Sequence, residues 1–247
     1  MTTGHTRLGD SPPMQSAADK LAIVHGTGSG PDHVRLERVL ALKDAAWCFN
    51  RVRRPSLGDF PGADANVPLL QVGRCFFSGS LLATLALEKL FPEPSLFPNG
   101  NRGMPLALAW WSEAVFSAGC EQGDNTALRR HCALFGRQLA DGRAFLQGQS
   151  PGLADVHAFA PLCALQQLGH ALNSVTQDAV LGPWFKRVGQ IGASPPSQVA
   201  IAPADLLLQH DRAIDPDGFP ECEALAEKER LDWFGKPLYL WRSPFAA

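Results

Sequence analysis

The stretch from Asn66 to Pro92, NVPLLQVGRCFFSGSLLATLALEKLFP, restricts the possible folds more than any other part of the chain. Val67-Pro68 leads into an apolar run, Leu69 to Val72, which Gly73-Arg74 separates from a second run, Cys75-Phe76-Phe77. Two apolar runs across a tight glycine turn predict a β-hairpin. Ser78-Gly79-Ser80 breaks the return strand and predicts a helix over Leu81 to Leu90, stopped by Phe91-Pro92. Ser80 is expected to cap it, its Oγ accepting a bond from an orphan N–H of the first turn. A helix N-terminus carries partial positive charge and unpaired N–H groups, so this one, beside a proline-led strand edge, suits a carboxylate.

Upstream, Leu21 to Val24 reads as a buried strand, followed by the glycine-rich loop His25 to Pro31. Asp32 can cap a helix whose Val34, Leu36, Val39, Leu40 and Leu42 supply a core face, ending at Lys43-Asp44, and Ala46 to Val52 reads as a second strand. Strand, helix, strand implies a parallel pair with a right-handed crossover. Gly26-Thr27-Gly28-Ser29-Gly30 does not match a dinucleotide loop, because the third glycine of G-x-G-x-x-G and the acidic residue downstream are missing. Glu93 to Asn101 is a Pro/Gly/Asn linker and a natural domain boundary. Helical periods follow over Met104 to Cys120, Asn125 to Asp141, residues 153–169 and Trp184 to Ile191. The division expected is a flexible leader over 1–19, an α/β domain over 20–93, an all-helical domain over 102–194 and a C-terminal extension over 195–247. Two helices are expected in the extension, Pro203 to Arg212 and Glu221 to Asp232, followed by an aromatic segment that packs on the body.

A formal net charge of −2 gives no electrostatic reason to expect nucleic acid or an anionic membrane as partner. Six scattered cysteines without C-x-x-C or ligand-like Cys/His spacing read as reduced thiols, not as a disulfide frame or a metal site. No apolar run reaches the roughly 18 residues of a spanning helix and no signal peptide is evident, so a cytoplasmic location is expected.

The segment VPLLQVGRCFFSGSLLATLALEKLFP resembles the second half of the glutathione-binding domain of glutathione transferases: a valine before a cis-proline, a hairpin, an acidic or amide residue followed by serine, a helix and Phe-Pro. FLQGQSPGLAD, Phe145 to Asp155, resembles the family phrase that enters the central helix of the second domain through a capping box, with Gly152 in place of the usual Ser or Thr and Asp155 reaching back to the cap N–H. On this reading Asp155 is folding machinery. The resemblance implies a thioredoxin-like α/β domain followed by an all-helical domain, a homodimer, and glutathione as cosubstrate, its thiol activated for attack on a small electrophile, as in detoxification. It further implies that Val67 pairs its backbone with the cysteinyl unit and Pro68, in cis, turns the strand edge to the ligand, while Ser80 holds the γ-glutamyl carboxylate and Gly79 stands where the acidic or amide residue would be.

The family activates the thiol through a Tyr, Ser or Cys donor after the first strand. Tyr239, the chain's one tyrosine, lies far from that place, and Gly30 occupies the expected donor position before Pro31. Ser29 is the first substitute, with Thr27 and His33 behind it; that Ser29 only solvates a turn stands as an equal alternative. No cysteine lies at the first helix, which excludes thiol–disulfide exchange there. The second-substrate pocket is expected between the Ser29 loop and the helix over 104–120, with Trp110 and Trp111 as lining candidates, one of the pair core and the other pocket or interface. Gly30 and Gly79 together keep open an alternative function, a transferase-fold protein that binds or assembles without transferase chemistry.

Overall fold

The computed structural model of the chain describes residues 22–52, 68–117, 125–170, 172–192, 197–198, 217–233 and 236–242. Strand β1 (Ala22–Gly26), helix α1 (Pro31–Leu42) and strand β2 (Trp47–Arg51) form the expected parallel unit. Strands β3 (Leu69–Val72) and β4 (Cys75–Ser78) form the expected antiparallel hairpin through Gly73, whose φ of 56° the turn requires. Helix α2 (Ser80–Leu90) follows directly. β3 lies antiparallel beside β1, so the order β2-β1-β3-β4 is that of a thioredoxin-like sheet.

The pleat sorts the sheet's side chains. Val24, Leu70, Val72, Cys75 and Phe77 point toward α1 and α2, where Leu36, Val39, Leu40, Leu82 and Leu85 close the core. The opposite pleat carries Leu69 and Phe76, but also a polar row. Asn50 Nδ2 lies 3.0 Å from His25 Nδ1, and His25 Nε2 lies 2.9 Å from Gln71 Oε1. With Asn50 donating to Nδ1, the proton sits on Nε2 and is donated to Gln71. Burial pushes the His25 pKa down to about 4, with the Gln71 bond opposing.

A buried ion pair fixes the linker. Lys43, at the end of α1, donates to Glu88 of α2 and to Pro94 O at 2.7 Å, while Ser95 Oγ and Leu96 N donate to the same Glu88 carboxylate at 2.8 and 3.0 Å. The next helix, α3 (Gly103–Trp111), runs into a π-helical turn, Ser112–Ser117. Helices α4 (Asn125–Leu139), α5 (Leu153–Gln167), α6 (Asn173–Thr176) and α7 (Leu181–Gly189) complete the helical part. Every residue of α5 from Leu153 to Leu165 is buried, which makes it the centre of that part. Asp155 accepts from Gly152 N at 3.1 Å, Leu146 N at 2.8 Å and Trp184 Nε1 at 2.8 Å, which makes it the structural fastener its place in the sequence predicts. Burial pushes its carboxyl up to about 6 against the pull of those bonds.

The extension departs from expectation. The segment Pro203 to Arg212 lies outside the described residues, and the helix expected over Glu221 to Asp232 is absent: only α8 (Pro220–Glu223) is helical, and Glu227–Trp233 is a strand. That strand, β6, pairs antiparallel with β7 (Lys236–Arg242), which itself lies parallel against β4. A short strand, β5 (Ser197–Gln198), pairs with β2 at the other edge. Glu, Lys and Arg favour helix locally, but β7 carries Leu238, Leu240 and Trp241 into the two apolar faces of the sheet, and β6 follows its partner. The aromatics pack on the body as expected: Trp241 stacks on Phe77 at 6.2 Å, and Phe219 meets Phe77 edge-on at 5.0 Å. Among the described residues no helix is long and apolar enough to cross a membrane.

Candidate functional site

The sheet's loops and the mouth of α2 meet the helical part at one seam. The β1–α1 loop is open. Thr27 Oγ1 and Ser29 Oγ lie 3.3 Å apart and exposed, and Arg51 Nη1 donates to Thr27 O at 3.0 Å. Gly30 is the N-cap of α1 with φ 91°; a side chain there would meet no neighbouring atom, but the backbone itself disfavours any L-residue. His33 is buried, its ring 4.8 Å from Phe49 and its Nε2 3.1 Å from Glu37 Oε1, so it packs on the sheet and not into the loop. Pro68 is buried close to Gly26. Val67 lies outside the described residues, and with it the geometry of the Val67-Pro68 bond.

At α2 the cap is Gly79, with φ 93° and no side-chain bond, and Ser80 is the first helical residue. The expected Ser80 cap is therefore corrected. Its side chain is buried, with the hydroxyl 2.8 Å from Asp32 Oδ1 and donating to Glu113 Oε1 of the π turn. The N–H of Leu81 donates to the same Glu113 carboxyl. Asp32 is likewise no cap for α1: its Oδ1 accepts from Arg35 Nη1 at 2.5 Å. Arg35 is 2% exposed, with Nη2 donating to Ser117 Oγ at 2.7 Å and Nη1 4.0 Å from Glu113 Oε1. Behind Glu113, His157 of α5 is fully buried. Its Nδ1 lies 3.5 Å from Glu113 Oε1, and neither ring nitrogen has a hydrogen-bond partner among the described residues.

One hydroxyl serves two acids in this cluster. A hydroxyl has one proton and cannot donate fully to two carboxylates. Burial pushes the Glu113 carboxyl above the usual carboxylate range, with Asp32's charge adding to the push and Arg35 and the Ser80 and Leu81 bonds opposing. The Ser80 hydroxyl bridges the Asp32 and Glu113 carboxyl groups, and Arg35 is the cation beside both. The end of α2 that would receive a ligand's carboxylate is thus filled by the protein's own acid.

The tryptophan pair separates. Trp111 packs in the helical core against Phe116, His131 and Phe135 and lines a cavity of about 250 Å³ with Met104, Leu108, Leu134 and Phe135. Trp110 is 53% exposed. Asp32, Arg35, Glu113 and His157 carry the seam, yet none is a site residue by sequence pattern; the one available signal is a lone acid, Glu113, inside the apolar run AWWSEAVF. Among the described residues no group of three or more His, Cys, Asp and Glu could hold a metal ion.

No family model and no curated protein matches the chain in sequence. Solved structures do match in shape. A glutathione-transferase-like protein from Pseudomonas syringae superposes with a TM-score of 0.72 at 16% identity, covering 91% of this chain and 97% of that one. Glutathione S-transferase III in its apo form gives 0.57 at 16% identity, over 71% and 99%. A glutathione S-transferase from Rhodospirillum rubrum gives 0.55 at 18% identity, over 79% and 94%. Together with the sheet order β2-β1-β3-β4 and the bundle around α5, these likenesses establish that the chain has the glutathione transferase fold, a thioredoxin-like α/β domain followed by a helical domain.

Proposed function

We propose that this chain is a glutathione-transferase-fold binding protein without thiol-activating chemistry, its anion site at α2 closed to glutathione by its own Glu113. The observation that carries the reading is the contact of Glu113 with Ser80 and with the Leu81 N–H at the mouth of that helix. A γ-glutamyl carboxylate would have to displace a carboxyl already seated there and would meet Asp32 beside it. Gly30 adds to the case, since it offers no hydroxyl or thiol at the donor position. The test is a titration with glutathione followed by calorimetry and by thiolate absorbance at neutral pH. Neither saturable heat nor thiolate absorbance is expected; micromolar binding with thiolate formation would overturn the reading.

A second reading, activation of glutathione for attack on a small electrophile, draws on the exposed Thr27 and Ser29 hydroxyls in the β1–α1 loop. The same titration separates the two, because only this second reading produces a thiolate signal, and Ser29→Ala would then abolish it. Either reading fits a homodimer held through the exposed Met104 and Leu134 at the rim of the 250 Å³ cavity, which light scattering would check. Either also fits a reducing cytoplasm, in keeping with the free, buried Cys48, Cys132, Cys163 and Cys222.

A further inference from the structure

A second cavity, of about 330 Å³, lies toward the carboxyl end of α2, away from Ser80. Leu85, Glu88 and Lys89 stand three and four residues apart, so they share one face of α2, and Pro92 continues that wall past the helix end. Phe219, Pro220 and Cys222 of the extension form the facing wall, and Arg102, the N-cap of α3, completes the lining. The extension is fastened at this place: Phe219 meets Phe77 edge-on at 5.0 Å, and Cys222 Sγ donates to Leu82 O at 3.8 Å.

The charge around this groove is one-sided. Lys89 and Arg102 are both exposed, and Lys89 makes no ion pair among the described residues. The Arg102 guanidinium is held over the Phe97 ring, 4.9 Å from its centroid. The acid in the lining, Glu88, is balanced by buried Lys43 and also accepts from Ser95 Oγ and Leu96 N. Asp217 and Glu223, beside the facing wall, turn to Lys228, and Glu93, next to Pro92, is exposed and does not line the cavity. An apolar trough with two cations and no unbalanced acid is complementary to an anion that carries an apolar ring.

We propose that this groove binds a small aromatic carboxylate, its ring between Pro92 and Pro220 over Leu85 and Phe219, and its carboxylate between Lys89 and Arg102. Arg102 supplies the planar fork that pairs with both carboxylate oxygens, and Lys89 a point charge on a flexible stem. The site stands whether or not the mouth of α2 takes glutathione, since Ser80 and Glu88 are about 12 Å apart along the helix axis.

The probe is 2-naphthoate, with 2-naphthamide as its neutral isostere. The full chain is titrated with each by calorimetry and by amide NMR. Saturable binding of the naphthoate is expected, at least tenfold tighter than that of the amide and weakening as salt is raised, with shifts centred on Leu85, Lys89, Arg102 and Phe219. Lys89→Gln and Arg102→Gln should each weaken it at least fivefold with the urea midpoint unchanged, and Arg102→Lys, which keeps the charge and loses the fork, should fall between. Lys186→Gln, at an exposed lysine of α7 outside the groove, should leave binding as it was. No saturable naphthoate binding, equal binding of the amide, indifference to both groove substitutions, or shifts centred on the Trp111 cavity or the mouth of α2 would each overturn the proposal. So would light scattering that shows a dimer lost in Lys89→Gln alone, because the groove would then be an interface between copies of the chain.

Discussion

The Ser80 hydroxyl of α2 donates to the carboxyl of Glu113 in the π turn, across the domain seam at the amino end of α2. A contact of this kind makes the anion site and the domain junction one structure: whatever moves Glu113 both opens the helix mouth and loosens the seam.

Removing the acid should therefore restore what it hides. In Glu113→Ala, glutathione affinity is expected to rise at least tenfold over the wild-type chain, about 1.4 kcal/mol, because the Ser80 hydroxyl and the Leu81 N–H become free to donate to a foreign carboxylate. Calorimetry checks this, and unchanged silence in the variant would separate Glu113 from the closure.

The Lys43–Glu88 pair supports a prediction about stability. Both side chains are buried, and Glu88 also holds Ser95 and Leu96 of the linker. Lys43→Met alone should cost about 3–5 kcal/mol in urea unfolding, since it leaves Glu88 buried and uncompensated. Adding Glu88→Leu should recover part of that loss, the linker bonds being the remainder.

His25 predicts a pH dependence. Its folded pKa, about 4, lies below the unfolded value of 6.5, so between these values the unfolded chain holds the extra proton. The contribution is fully present above pH 6.5 and is lost as pH falls, the loss reaching about 3 kcal/mol at pH 4. Asp155 works in the opposite sense, because its folded pKa of about 6 is raised above 3.8, and its contribution is lost as pH rises toward 6. The His25 part is isolated by comparing wild type with His25→Asn. The difference in unfolding free energy between the two should change across pH 4–6.5 and be flat above it.

Trp241 tests the extension. It is fully buried against Phe77 and Phe219, so Trp241→Ala should destabilise by about 3–5 kcal/mol and uncover the β4 edge. Chemical denaturation gives the first effect and light scattering on concentration the second.

What could be read from the chain follows from the range of the forces involved. The hairpin over 69–78 and the helix after it were legible because the turn glycine, strand runs and stop signal are local. Asp155 was legible for the same reason, its cap partner being Gly152. The strand Glu227–Trp233 was not, since its charged residues favour helix and only pairing with β7 overrides them. The seam was hidden for another reason. Glu113 meets Ser80, Arg35 and His157 only once four separate elements assemble, and the π turn that aims it leaves no periodic signature. Trp110 and Trp111 were ambiguous until the bundle chose which ring to enclose.

The pairing of β4 with β7 has a bearing on how the molecule is made. Cys75 to Ser78 leave the ribosome with one flank of their ladder open, and Tyr239 to Arg242, which close it, are synthesised only after the whole helical bundle. Through translation the nascent sheet presents a bare apolar edge at Phe76 and Phe77, so the interval before β7 arrives is when this protein most needs a chaperone.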